Sequence, residues 1–168
     1  MTCLQQAHSK GIVHRDIRPE NLLYTSGSSA IIIDWGYACA AGSICSFKGT
    51  FRFASNRILE ELSNGAQSIR WTPTVITKYC VFLLQDDLCS MVKALICLMF
   101  PATMNSLLTW KDFTPENCRG LKVKSFCCKI NLQNYWQNKL KDNLLLPLAQ
   151  AAEQTNYDNV IELLSFLD

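Results

Sequence analysis

Apolar residues fall in short clusters along most of the chain and in one long block near its middle. From Leu88 to Phe100 nearly every residue is apolar and only Lys93 is charged. A surface helix carries a polar stripe, so this segment is expected as a helix buried at the domain centre. Asp86 and Asp87 suit the positive end of its dipole, and Pro101 is expected to close it. Before it, Ser55 fits an N-cap for a helix whose apolar face is Ile58, Leu59 and Leu62, ending near Gly65. Further helices are expected over Thr2 to Ser9, stopped by Gly11, and over Met104–Trp110, Leu132–Lys141, Leu145–Gln154 and Asn159–Leu167. The β content is small. Leu22–Tyr24 and Ala30–Asp34 flank "TSGSS" and read as one hairpin. Tyr37 to Thr50, rich in Gly, Ala and Ser without clear period, reads as an exposed loop. The fold class expected is mainly α with a small β-hairpin and a buried axial helix.

The totals narrow this picture only a little. With 168 residues, 49% hydrophobic and 18% charged, the chain is globular, one domain by size, and long enough for a core. A net charge of +2 gives no case for nucleic acid or an anionic membrane surface. Lys122, Lys124 and Lys129 form the one basic cluster, which reads as a solvated face or loop. No stretch has the length and apolarity to span a bilayer, and "MTCLQQAHSKG" has no apolar signal core. The nine cysteines are odd in number, form no C-x-x-C, and include Cys89 and Cys97 inside apolar runs. Reduced thiols acting as small hydrophobes, and a cytoplasmic location, are the expectation.

The candidate chemistry lies near the front. "HRDIRPEN" places Asp16 and Asn21 on one short stretch beside Arg15 and Arg18, and "IIIDWG" places Asp34 after an apolar strand and before Gly36. Carboxylate and amide oxygens suit a hard cation such as Mg²⁺, and a guanidinium balances phosphate charge. Taken singly, each of these residues is more often a turn or cap residue, because Asp, Asn and Pro populate turns anyway.

Jointly they resemble a known family. "HRDIRPEN" is similar to the H-R-D-x-x-x-x-N catalytic loop of protein kinases, and "DWG" to their D-F-G, with Trp35 replacing Phe. "GTFRFASNRILEEL" resembles the end of an activation segment, and "DDLCSMVKALICLMF" the central helix. Ser55-Asn56-Arg57 stands where most kinases have A-P-E. With "GTFRFAS", "DDLCSM" and the tail "NYDNVIELLSFL", this resembles the casein-kinase-one group, hence Ser/Thr specificity. The resemblance implies a kinase C-terminal lobe over residues 1–168, with catalytic loop 14–21, activation segment 34–57 and central helix about 87–100.

It also implies roles. Asp16 would orient the substrate hydroxyl, Asn21 and Asp34 would hold Mg²⁺ with ATP, and Arg18 would sit near the transferred phosphate in place of the usual Lys. His14 and Trp35 would stack in the hydrophobic spine, Gly36 completes the Asp34 turn, Asp87 would accept backbone N–H groups of the catalytic loop, and Thr50 would contact Asp16. Arg15 would pair with a phosphorylated Ser43, Ser46 or Thr50. Kinases also have an N-terminal lobe with a Gly-rich loop and a strand Lys paired to a helix Glu. Neither is found upstream of His14, so that lobe is expected to be absent and an apolar lobe face left open to a partner. Two lost charge-assisted contacts, each worth roughly 1.5–3 kcal/mol, would weaken ATP binding about a hundredfold or more. The expected function is therefore a Ser/Thr protein kinase, weak alone, acting on a protein substrate. The alternatives are a pseudokinase-like binding module and an unrelated helical domain.

Overall fold

The computed structural model describes residues 3–24, 30–64, 79–108, 122–141 and 145–165, without the side chains of residues 63, 64, 108 and 122–130. Thr2, the expected "TSGSS" loop, Gly65, Trp110 and Leu167 lie outside these residues, as do the side chains of Lys122, Lys124 and Lys129. Helices dominate: α1 (Cys3–Ser9), α2 (Asn56–Asn64), α3 (Leu84–Met99), α4 (Pro101–Leu108), α5 (Lys122–Leu140), α6 (Leu146–Glu153) and α7 (Tyr157–Ser165). The strands are short: β1 (Ile12–Val13), β2 (Leu22–Tyr24), β3 (Ala30–Ile32), β4 (Cys39–Ala40), β5 (Ile44–Ser46) and β6 (Tyr79–Val81). They pair antiparallel as β1 with β4, β2 with β3, and β5 with β6. The mainly α class with a small hairpin is what the apolar pattern predicts.

The axial helix is buried as its composition requires. Leu88, Val92, Ala94, Ile96 and Cys97 of α3 are all in the core, with α6 packed along it and α7 packed on α6. It begins at Leu84, earlier than the apolar block indicates. Asp86 sits at its third position and accepts the Leu83 N–H at 2.8 Å, satisfying a donor that a helix N-terminus leaves free. Pro101 does more than end it. Proline at the first helical position costs no hydrogen bond, so α4 starts there, bent 111° from α3. Among the described residues no single helix is long and apolar enough to cross a membrane.

Three expectations need correction. Tyr37 to Thr50 is not simply an exposed loop, because β4 and β5 lie within it. Their partners, β1 and β6, are distant in sequence, so pairing of two or three residues left no local period to read. Helix α5 starts at Lys122, ten residues before the expected Leu132, so of the two settings expected for the basic cluster, a face or a loop, its backbone excludes the loop. The last helix begins at Tyr157, because Asn156 caps it, Oδ1 accepting the Asn159 N–H at 3.1 Å. Ser55 acts as predicted: its Oγ accepts the Ile58 N–H at 3.2 Å.

Lys93 is the exception inside α3, at 1% exposure. Its Nζ donates to Ala54 O at 2.5 Å and Asn56 Oδ1 at 3.0 Å, and lies 5.2 Å from the centroid of the Trp136 ring. Trp136 in turn donates from Nε1 to Arg52 O at 2.6 Å, so α3 and α5 together grip the chain entering α2. Burial lowers the Lys93 pKa from 10.5 to about 7. Between those values the unfolded lysine holds a proton that the folded one has released, so stability rises with pH. The buried thiols of Cys89 and Cys97, pushed up to about 12 and about 11, oppose this only above their ordinary 9.0. Unfolding stability by urea is therefore expected to rise by about 1 kcal/mol from pH 7 to 8.5, and the rise is expected to vanish in Lys93→Met.

Candidate active site

The centre of the site is a backbone reversal. Arg15 has φ +77°, a left-handed conformation that a side chain disfavours and that the surroundings must hold. Asp87, 1% exposed on the first turn of α3, holds it: its carboxylate accepts the N–H groups of His14 and Arg15, the latter at 2.8 Å. A third N–H comes from His8 Nε2 at 3.1 Å. Three donors offset the cost of burying that carboxylate.

Beyond the reversal, Asp16 is 6% exposed and its two oxygens have different neighbours. Oδ1 accepts the Thr50 N–H at 2.8 Å, and Oδ2 lies 3.6 Å from Arg18 Nε. Thr50 thus meets Asp16 through its backbone. The Asp16 carbonyl accepts Asn21 Nδ2–H at 2.8 Å, closing the loop on itself. His14 donates from Nε2 to Ile33 O at 2.9 Å, which leaves Nδ1 to accept the Asp16 N–H at 3.2 Å. One imidazole therefore ties the Asp16 loop to the strand that leads to Asp34.

Strand register brings Asp34 to the same place. Leu22 pairs with Ile32, and Ile33 N donates to Asn21 O at 3.0 Å, so Asp34 leaves the ladder beside Asn21. Asp34 itself has φ +63° and begins a short 3₁₀ turn, Trp35–Tyr37. Trp35 Nε1 donates to Ile32 O at 2.8 Å, and its ring meets His14 edge-on, centroids 4.6 Å apart. Asn21 uses its amide nitrogen inward, and the Asp34 carboxylate makes no bond capping its turn. One amide oxygen and one carboxylate fit Mg²⁺, which takes few protein oxygens and fills its octahedron with phosphate and water. No cluster of three His, Cys, Asp or Glu able to hold a metal occurs among the described residues.

Residues 1–93 match the family model for the protein kinase domain. This chain belongs to the protein kinase family. It is 49% identical over 39 residues to the serine/threonine-protein kinase PknD of Chlamydia pneumoniae, covering 23% of this chain and 4% of that protein. It is 34% identical over 93 residues to a probable serine/threonine-protein kinase of Dictyostelium discoideum, covering 55% and 13%. Against the inhibitor of nuclear factor kappa-B kinase subunit beta of Mus musculus it is 30% identical over 140 residues, covering 64% and 18%. The chain thus spans less than a quarter of the length of these curated relatives.

The candidate site also has neighbours to which the reading of the motifs assigned no role. Arg57 donates to Asp86 from Nε at 3.1 Å and from Nη2, to Val81 O at 2.5 Å, and to Glu61 Oε2 at 3.0 Å. Ser55 Oγ donates to the same Asp86 at 2.6 Å. The start of α2 is thus locked to the start of α3, one residue from Asp87. The four-residue Arg57–Glu61 spacing was the visible signal. Arg15 is already engaged: it donates to Tyr37 O at 2.9 Å and to Ser46 O, and its guanidinium lies 4.4 Å from the Phe82 ring centroid. Among Ser43, Ser46 and Thr50, only the Ser46 backbone contacts it among the bonds described.

Two glycines near the candidate site, Gly36 and Gly49, differ sharply. A Cβ at Gly36 would meet Asp34 Oδ1 at 3.5 Å, an ordinary contact. At Gly49 it would come within 2.2 Å of the Arg15 carbonyl, so the backbone must move. Gly49→Ala is expected to destabilise the chain by about 2 kcal/mol or more in urea unfolding, and Gly36→Ala by less than about 1 kcal/mol.

Proposed function

We propose that this protein kinase transfers phosphate from ATP to Ser or Thr hydroxyls of a protein substrate, with Asp16 as the residue that orients the hydroxyl and takes its proton. The reading rests above all on the placement of Asp16: clamped through Thr50 and through a loop pinned on Asp87, with its second oxygen turned to a cation. Asn21 and Asp34 are the residues assigned to Mg²⁺, which when bound neutralises phosphate charge. Arg18 is assigned to the transferred phosphate, its guanidinium set against Asp16 until substrate arrives. His14 and Trp35 hold the Asp34 strand against the loop, and Gly36 follows Asp34 in the turn. Residues 14–21 form the catalytic loop, 34–57 the activation segment and about 87–100 the central helix of a C-terminal-lobe arrangement. The casein-kinase-one-like assignment is supported by Ser55-Asn56-Arg57, where Arg57 secures the end of the activation segment on Asp86.

One observation favours a second reading, a binding module with little transfer. Arg18 Nε lies 3.6 Å from the Asp16 oxygen that a substrate hydroxyl would use, and a forked guanidinium sits there less easily displaced than the ammonium of lysine.

Transfer from labelled ATP to a Ser/Thr peptide library tests both. For the 168-residue polypeptide alone we expect slow incorporation and weak Mg-ATP binding, with no thermal stabilisation at millimolar nucleotide. Asp16→Asn is expected to lower the incorporation about a hundredfold, within the range of general acid–base effects, and Arg18→Lys to raise it. Incorporation indifferent to Asp16→Asn would remove the enzyme reading. A clear stabilisation by Mg-ATP, lost in Asp34→Ala, would contradict the weak binding.

A further inference from the structure

The grip of Asp87 on the catalytic loop is itself supported from the far end of the chain. His8, on α1 and 5% exposed, donates to Asp87 and so carries its proton on Nε2, since a carboxylate only accepts. In the neutral imidazole the other nitrogen then accepts, and the group at His8 Nδ1 is the hydroxyl of Tyr157. The two rings meet edge-on with centroids 5.7 Å apart. Tyr157 is the first residue of α7, placed there by the Asn156 cap. Burial, and then the Asp87 charge, push its phenol up to about 12, so it remains a donor throughout the neutral range.

We infer that Tyr157 is a positioning residue for the Asp16 loop: its hydroxyl donates to His8 Nδ1, fixes the imidazole with Nε2–H on Asp87, and thereby steadies the carboxylate that holds the His14 and Arg15 N–H groups. The inference rests on the reading of Asp16 as the hydroxyl-orienting residue, but the hydrogen-bond chain is testable without any transfer. Free to rotate, the imidazole leaves Asp87 with two donors in place of three, and the left-handed Arg15 with a looser clamp.

Amide hydrogen exchange of the full chain reads that clamp residue by residue. Tyr157→Phe keeps the ring and removes the donor. It is expected to speed exchange at His14 and Arg15 about fivefold or more, the weight of one net hydrogen bond, while Val92 and Ile96 in α3 change less than about twofold. His8→Ala should produce the same local acceleration, and the double variant no more than His8→Ala alone. Uniform acceleration of core and loop amides, no acceleration at all, or full additivity of the two substitutions would overturn the role. Should the phenylalanine variant not fold, His8→Gln puts the same question, since its amide can donate to Asp87 without engaging Tyr157. Absence of phosphate transfer would refute the enzyme reading and leave this result intact.

Discussion

A buried carboxylate organises this structure. Asp87 lies on the first turn of the most buried helix and accepts N–H groups from His14, Arg15 and His8, residues of a loop and a helix remote from it in sequence. Without those donors the charge would cost several kcal/mol to bury, and without that charge the left-handed backbone at Arg15 would lose the acceptor that holds its N–H. Each half of the arrangement is unfavourable alone and stable in combination. The consequence is a backbone reversal at Arg15 that turns Asp16 toward Thr50 and Arg18.

The rest of the site follows from where that reversal sits. His14 reaches across to Ile33, Asn21 closes the loop on the Asp16 carbonyl, and strand register delivers Asp34 beside Asn21. The approach of Gly49 to the Arg15 carbonyl lets Thr50 come close enough to bond Asp16. One residue away, Asp86 does a parallel task through Arg57 and Ser55, so neighbouring carboxylates of α3 anchor two separate segments. A rigid, buried helix is well suited to this, because its first-turn side chains are fixed relative to each other. Lys93, two turns further on, holds the carbonyl of Ala54 and extends the same anchoring to the segment before α2.

Much of this was legible in the residues because it is local. A helix apolar on all sides has to be buried, which placed α3 at the centre. Ser55 before Ile58 announced a cap, and the spacing of Asp16, Asn21 and Asp34 named the three residues that the fold brings to one place. What escaped was non-local. Strands of two or three residues carry too few positions for a period-two signal, so β4 and β5 were invisible until β1 and β6 were seen beside them. The early start of α5 escaped for a different reason: Lys122 to Lys129 mixes charged and apolar residues without a clear stripe.

From the sequence alone came the family, the mainly helical class, the buried helix and the candidate site residues, because residue type and short spacing dictate propensity, burial and ligand character. Only the tertiary structure decided which partners those residues have: Arg57 on Asp86, Arg18 against Asp16, Trp35 edge-on to His14, and Tyr157 behind His8. A hydrogen bond depends on direction and on distance to within a few tenths of an ångström. Between residues as far apart in the chain as His8 and Tyr157, packing alone sets both.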